Sequence, residues 1–257
     1  MKKPIPSKAR AVIIGGGIAG CSVAYHLAIL GWKDIVLLER KQLCSGTTWH
    51  AAGLIAQLRA TKNMTRLSKY SQELYSKLEA ETGVSTGFRA CGSITVALTE
   101  ERREEIYRQA SMARAFGVEV EEVSVGDVKS RYPYLNTDDV KGAVYLDKDG
   151  QGDPSNIALS LAKGARLMGA QIFEGIKVTD VQQSDGRVNG VSWKRDGVDE
   201  AGTIEADYVV NCAGMWAHEL GKMSGVNIPL QACEHFYIVT DTIPELKQLP
   251  VLRVPDE

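Results

Sequence analysis

At 257 residues, with 44% hydrophobic and 24% charged side chains, the chain has ordinary globular usage and room for one large or two modest domains. A net charge of -2, without a basic stripe carrying interleaved aromatics, argues against nucleic acid as a partner. The five cysteines are odd in number and form no CxxC pair, which argues against a disulfide framework and structural zinc. They point instead to a reducing compartment, the cytoplasm or, in a eukaryote, the mitochondrial matrix.

The first predicted element is a buried strand, Ala11-Val12-Ile13-Ile14, leading into Gly15-Gly16-Gly17-Ile18-Ala19-Gly20. In this spacing Gly15 permits a tight turn, Gly17 lets backbone approach a pyrophosphate, and Gly20 lets the next helix pack on the strand. That helix is predicted over Cys21 to Leu30 and stops at Gly31. A second strand, Ile35 to Leu38, ends in Glu39, placed to accept from adenosine ribose hydroxyls and to repel a 2′-phosphate. Residues 11–32 lack Asp, Glu, Lys and Arg and follow a basic start, a pattern shared with membrane and leader segments. The glycine triplet, Pro4 and Pro6 argue against both, and a soluble, non-exported protein without membrane contact is expected.

Downstream, a helix is predicted from Met64 to Thr82 ending at Gly83, a strand over Ile94 to Leu98, and a helix from Glu100 to Phe116 closed by Gly117. A short helix over Val125 to Arg131 and a strand over Gly142 to Asp147 follow. The acids of Asp147 to Asp153 do not have EF-hand spacing and read as turn chemistry, so no metal is expected. Next come a helix from Asn156 to Met168 ending at Gly169 and strands over Gln171 to Phe173, Val178 to Val181 and Val188 to Trp193. Tyr208 to Cys212 then reads as a buried strand running into Ala213-Gly214-Met215-Trp216. A second strand-and-turn so far from the first suits a two-part ligand such as FAD. An NAD domain, a disfavoured third possibility, would continue with regular βα units after its second strand.

Several segments together carry a resemblance: Gly15 to Gly20, Leu37 to Arg40, Ser45-Gly46-Thr47-Thr48-Trp49-His50-Ala51-Ala52-Gly53-Leu54, Val209 to Ala217, and Cys233 to Thr240. The chain resembles the sarcosine and dimethylglycine dehydrogenases, within the D-amino-acid-oxidase-like FAD amine oxidoreductases. The likeness runs from Lys8 to the last residue, and the segment around His50 is its most specific part. It implies an α/β fold in which a Rossmann-like FAD domain (8–90 and 150–225) is interleaved with a mixed-sheet α+β substrate domain (91–149 and 226–257).

The same resemblance implies flavin contacts at Gly15, Gly17, Ile18, Ala19, Gly20, Glu39, Arg40, Gly46, Thr47, Thr48, Trp49, His50, Ala51, Ala52, Gly53, Leu54, Val178 and Trp216. At His50 it implies a bond from an imidazole nitrogen to the flavin 8α-carbon, which makes the flavin a stronger oxidant; a contact without a bond is the alternative. Arg40 could instead be a surface charge and Val178 plain sheet core. The implied reaction moves a hydride equivalent from an N-methyl carbon of a small glycine derivative to flavin N5, and needs the amine neutral. His235, on a predicted strand from Leu230 to Thr240, is the candidate base; a hydrogen-bonded sheet histidine is the other reading. His26 and His218 read as structural. Arg59 and Arg253 are candidates for the substrate carboxylate, each also readable as a surface charge.

Relatives in this group continue past the point matching Glu257 with a catalytic tyrosine, the rest of the substrate sheet and a folate-binding domain. The chain is therefore expected to be the N-terminal part of a longer enzyme, poorly active alone, with tetrahydrofolate a partner only of the missing domain. Oxygen and an electron-transfer flavoprotein both remain open as electron acceptor. A second reading comes from proteins of this group that include a non-catalytic regulatory subunit of pyruvate dehydrogenase phosphatase.

Overall fold

The structure, a computed structural model, describes residues 4–244, 246 and 248–256. In chain order the elements are β1 (Lys8–Ile14), α1 (Ile18–Ile29), β2 (Ile35–Glu39), β3 (Leu54–Ile55), α2 (Lys62–Thr82), β4 (Ser93–Ala97), α3 (Glu100–Ala115) and β5 (Glu121–Val123). They continue with α4 (Val125–Arg131), β6 (Gly142–Leu146), β7 (Gly150–Gln151), α5 (Pro154–Leu167), β8 (Gln171–Glu174), β9 (Ile176–Ser184), β10 (Arg187–Arg195), β11 (Ala201–Asn211), α6 (Ala217–Met223) and β12 (Val251–Arg253). Single 3₁₀ turns lie at Thr48–His50 and Gly214–Trp216.

Backbone contacts divide the described residues into two compact units. The first comprises Met1–Ala52, Leu78–Thr86 and Pro154–Phe236; the second comprises Gly53–Lys77, Gly87–Asp153 and Tyr237–Glu257. These limits differ from the expected segments. Residues 53–77 group with the second unit, where β3 pairs with β7 and the Gly152 N–H donates to the Gly53 carbonyl. Residues 226–236 group with the first, where the Val226 N–H donates to Gly221 and the His218 ring bonds the Ile228 carbonyl.

The first unit is α/β. Its six-stranded sheet has the order β8-β2-β1-β11-β10-β9. β2, β1 and β11 run parallel, and β8 pairs parallel to β2, while β11, β10 and β9 form an antiparallel meander. All five residues of β2 are buried, as a near-continuous apolar run in a covered parallel sheet requires. Helix α1 carries no charged residue and packs on α5; a Cβ at Gly164 would press into the Tyr25 ring. The second unit has a four-stranded mixed sheet, order β12-β4-β6-β5. Ile106, Ala110 and Ala113 of α3 pack with Ala97, Val144 and Leu146 of that sheet.

Local chemistry explains the helix ends. Gly31, Gly83, Gly117 and Gly169 all adopt positive φ directly after their helices, as C-terminal stop residues do. Ser124 and Asp127 form a reciprocal capping box at the start of α4. The predicted strand from Leu230 to Thr240 does not form. A strand needs a hydrogen-bonded neighbour and a buried face. Residues 226–243 have neither ladder nor regular structure, and Phe236 and Ile238 are each 91% exposed. Among the described residues no helix is long and apolar enough to cross a membrane.

Candidate functional site

The glycine-rich turn joins β1 to α1, and each glycine answers a different steric demand. Gly15 has φ +111°, where a side chain is strained, and a Cβ there would overlap the Cys212 carbonyl oxygen at the end of β11. A Cβ at Gly20 would overlap the Gly15 carbonyl oxygen. Gly17 is extended, so φ does not explain it; a Cβ would stand 2.9 Å from the Thr48 hydroxyl, which accepts at 3.0 Å from the Ile18 N–H. Gly17 also supplies no side-chain cap to α1. With the Ile18 N–H taken by Thr48, the Ala19 and Gly20 amides remain directed at whatever lies before the helix.

Glu39 at the end of β2 is 9% exposed, and both its oxygens are engaged. One accepts from the Gly16 N–H at 2.7 Å, the other from the Lys41 N–H at 2.8 Å. A carboxylate offers about four lone-pair sites, so two acceptor positions remain for ribose hydroxyls. The next residue, Arg40, lays its guanidinium 3.8 Å from the centroid of the Trp216 ring. A Cβ at Gly46 would touch the six-membered ring of that indole at 3.4 Å.

These parts border one cleft, open to solvent, within the first unit. Of the expected contacts, Gly15, Gly17, Glu39, Arg40, Gly46, Thr47, Thr48, Val178 and Trp216 line it. Val178 stands on β9, the edge strand of its sheet, opposite Trp193 of β10. Ile18, Ala19 and Gly20 form the start of α1 behind the turn. Trp49, His50, Ala51 and Ala52 continue the same loop and are exposed, while Gly53 and Leu54 belong to the second unit. Lys177, Glu219 and Met223 also line the cleft and were not anticipated. Lys177 neighbours Val178 and Glu219 follows Trp216 in the next helix, so adjacency to those positions was the available signal.

His50 ends the 3₁₀ turn, its N–H donating to the Thr47 carbonyl at 3.2 Å. Its ring lies against Trp49 with centroids 3.8 Å apart and planes inclined by 36°. No hydrogen bond to its imidazole occurs among the described residues, so both nitrogens are open to an incoming group. His26 and His218 instead bond the carbonyls of Ser22 and Ile228, each at 2.7 Å, as structural histidines do. His235 is exposed in an irregular segment. Burial, followed by the neighbouring Cys44 thiol, pushes the Cys21 thiol up to about 12, and burial likewise raises Cys212. Both are poor thiolate formers and act as small apolar fillers.

A second cavity, wholly within the second unit, is bordered by Leu54, Ile55, Ala56, Arg59, Ser93, Gly150, Val251 and Arg253. It brings together the two arginines expected to compete for a carboxylate. Arg59 donates from Nε to the Ser68 hydroxyl at 3.0 Å, and neither arginine has a carboxylate partner among the described residues.

The family model for FAD-dependent oxidoreductases, abbreviated DAO, matches residues 10–257. The chain belongs to this family. Human mitochondrial sarcosine dehydrogenase is 41% identical over 258 residues, covering 99% of this chain and 28% of that protein. A mitochondrial protein of Mus musculus, the pyruvate dehydrogenase phosphatase regulatory subunit, is 41% identical over 92% of this chain and 26% of its own length. The chain thus spans under a third of the length of each of these two relatives. The crystal structure of L-proline dehydrogenase from P. horikoshii superposes with a TM-score of 0.79 at 27% identity, over 86% of this chain and 57% of that one.

The residues present fit FAD: a turn that a Cβ would fill, a helix start to which its N-cap residue supplies no side chain, an acid at the strand end and a second turn at Ala213–Gly214 all meet at one cleft. Glu39→Ala should weaken FAD binding by about 10- to 100-fold, because it removes a charged acceptor from two backbone donors as well as from the ribose. Titration of apoprotein with FAD, followed by flavin fluorescence, checks this; unchanged affinity would show that Glu39 has no part in the site.

Proposed function

We propose that this chain forms the flavin-binding part, and one portion of the substrate site, of an enzyme that oxidises the N-methyl group of a small N-methylated glycine, sarcosine or dimethylglycine. The observation that carries the reading is the convergence at one cleft of the glycine turn, Glu39, the Gly46–Thr48 loop, Val178 and Trp216. FAD, when bound, supplies the two-electron acceptor. Glu39 and the first turn of α1 hold its adenosine and pyrophosphate end. Arg40, stacked on Trp216, places a cation beside the cleft. His50 holds the flavin through a covalent bond at an imidazole nitrogen, and Trp49 orients that ring by stacking.

On the substrate side, Arg59 and Arg253 receive the carboxylate through guanidinium donors that no acid of the described chain occupies. His235 is the proposed proton acceptor that keeps the amine neutral.

The test is anaerobic mixing of the flavin-loaded protein, in the form its own cell makes, with sarcosine or dimethylglycine. Loss of the yellow flavin absorbance and release of formaldehyde are expected. The equal identity to a regulatory subunit favours a second reading, a binding protein on the same fold. Bound FAD that neither amine bleaches would overturn the enzymatic reading in favour of that one.

A further inference from the structure

Asp149 lies between β6 and β7 in the second unit and is 2% exposed. A buried acid must find donors, and this one has three. One oxygen accepts from the Gln57 backbone N–H at 2.9 Å and the Gln57 side-chain amide at 3.2 Å. The other accepts from the Ser93 hydroxyl at 2.7 Å. Its backbone carbonyl accepts from the Gly92 N–H at 2.8 Å.

These bonds reach the two segments that carry the arginines. Gln57 precedes Arg59 by two positions. Ser93 opens β4, which pairs parallel with β12, setting Val251 opposite Ser93 and Arg253 opposite Thr95. The Val251 N–H donates at 2.9 Å to the carbonyl of Gly92, the same residue whose own N–H donates to the Asp149 backbone carbonyl. Ser93 and Gly150, the latter adjacent to Asp149 in the chain, both border the cavity of Arg59 and Arg253.

We infer that Asp149 is a positioning residue: its carboxylate ties the Gln57–Arg59 segment to the β4–β12 pair so that both guanidiniums border one carboxylate-binding cavity. The inference rests on the proposed carboxylate role of that cavity. The action is geometric. The charge of Asp149 by itself opposes binding of an anion, so removing it without disturbing the bonds should not weaken binding.

That contrast supplies the test. Asp149→Asn keeps a carbonyl oxygen for Gln57 and an amide that the Ser93 hydroxyl can accept, whereas Asp149→Ala keeps neither; both remove the charge. The probe is methoxyacetate, a carboxylate shaped like sarcosine with no oxidisable amine, and its Kd is measured on the flavin-loaded full chain by saturation-transfer NMR. Arg59→Ala and Asp149→Ala should each weaken binding about 10-fold, Asp149→Asn should stay within about threefold of the parent, and the double alanine variant, which still loses the placement of Arg253, should weaken binding by clearly less than the product of the two single losses. On turnover, the alanine variant of Asp149 should raise KM for sarcosine while kcat stays within about twofold. If Asp149→Ala yields no folded protein, Asp149→Ser takes its place, because a hydroxyl cannot reach both Gln57 and Ser93. Parent-like binding by the alanine variant, equal weakening by Asn and Ala, or multiplicative losses in the double variant would each overturn the positioning role. An Arg59→Ala variant that binds normally would instead overturn the carboxylate reading itself, and the positioning role with it.

Discussion

Gly20→Ala is expected to leave little folded protein. The added methyl would overlap the Gly15 carbonyl oxygen, a backbone atom that cannot swing aside as a side chain can. That carbonyl belongs to a turn already held from three directions: the Gly15 N–H donates to Leu38, the Gly16 N–H to Glu39, and Gly15 lies against the Cys212 carbonyl. Relief would require α1 to lift from β1, and α1 also packs on α5, so the strain spreads through the first unit. Overpacking of this kind costs about 3 kcal/mol or more, a large part of the stability of an ordinary domain. Gly31→Ala is the natural control. It also has positive φ, but a Cβ there meets nothing within 4 Å, so its cost is the backbone preference alone, about 1 kcal/mol. Thermal unfolding by circular dichroism should therefore lose the Gly20 variant's transition and only lower that of the Gly31 variant. Similar shifts for the two would contradict this steric account.

His50→Ala should have the opposite profile, abolishing flavin attachment while sparing the fold. The ring is exposed, its contact is the stacked Trp49, and it takes no hydrogen bond among the described residues. Truncation of such a side chain costs about 0.5 kcal/mol or less. Covalent flavin should fall from about one per chain to none, whereas FAD added to the variant should still bind through Glu39, the glycine turn and Trp216, and should leave on denaturation. The variant's flavin should also be a weaker oxidant, since the bond to imidazole is what raises the potential. Flavin that stays attached in the alanine variant would assign the bond to another residue.

What was legible in the sequence is what short-range stereochemistry dictates. The glycine turn, the acid at the end of β2, the α4 helix with its capping box and the helix-stop glycines depend on φ, on a missing Cβ or on a cap within three residues. What was not legible depends on partners distant in the chain. β9, β10 and β11 extend beyond their apolar cores because each lengthens the ladder of its neighbour. Residues 53–77 join the second unit because Leu54 and Ile55 find Gln151 and Gly150. The segment from Leu230 to Thr240 has strand-forming residues, yet no described strand offers it a ladder, and its apolar side chains face solvent. The meeting of Arg59 with Arg253 was equally hidden, since it depends on contacts far apart in the chain: the β4–β12 register, the β3–β7 pair and the bonds of buried Asp149.

On the proposed reading, the cleft of the first unit holds FAD and His50 fixes it covalently. Acid denaturation of the flavin-loaded protein, followed by peptide mass mapping, tests it most directly. The account predicts yellow, precipitated protein and a flavin-sized mass increase on the peptide containing Trp49 and His50. A colourless precipitate, free flavin in the supernatant and an unmodified His50 peptide would contradict it.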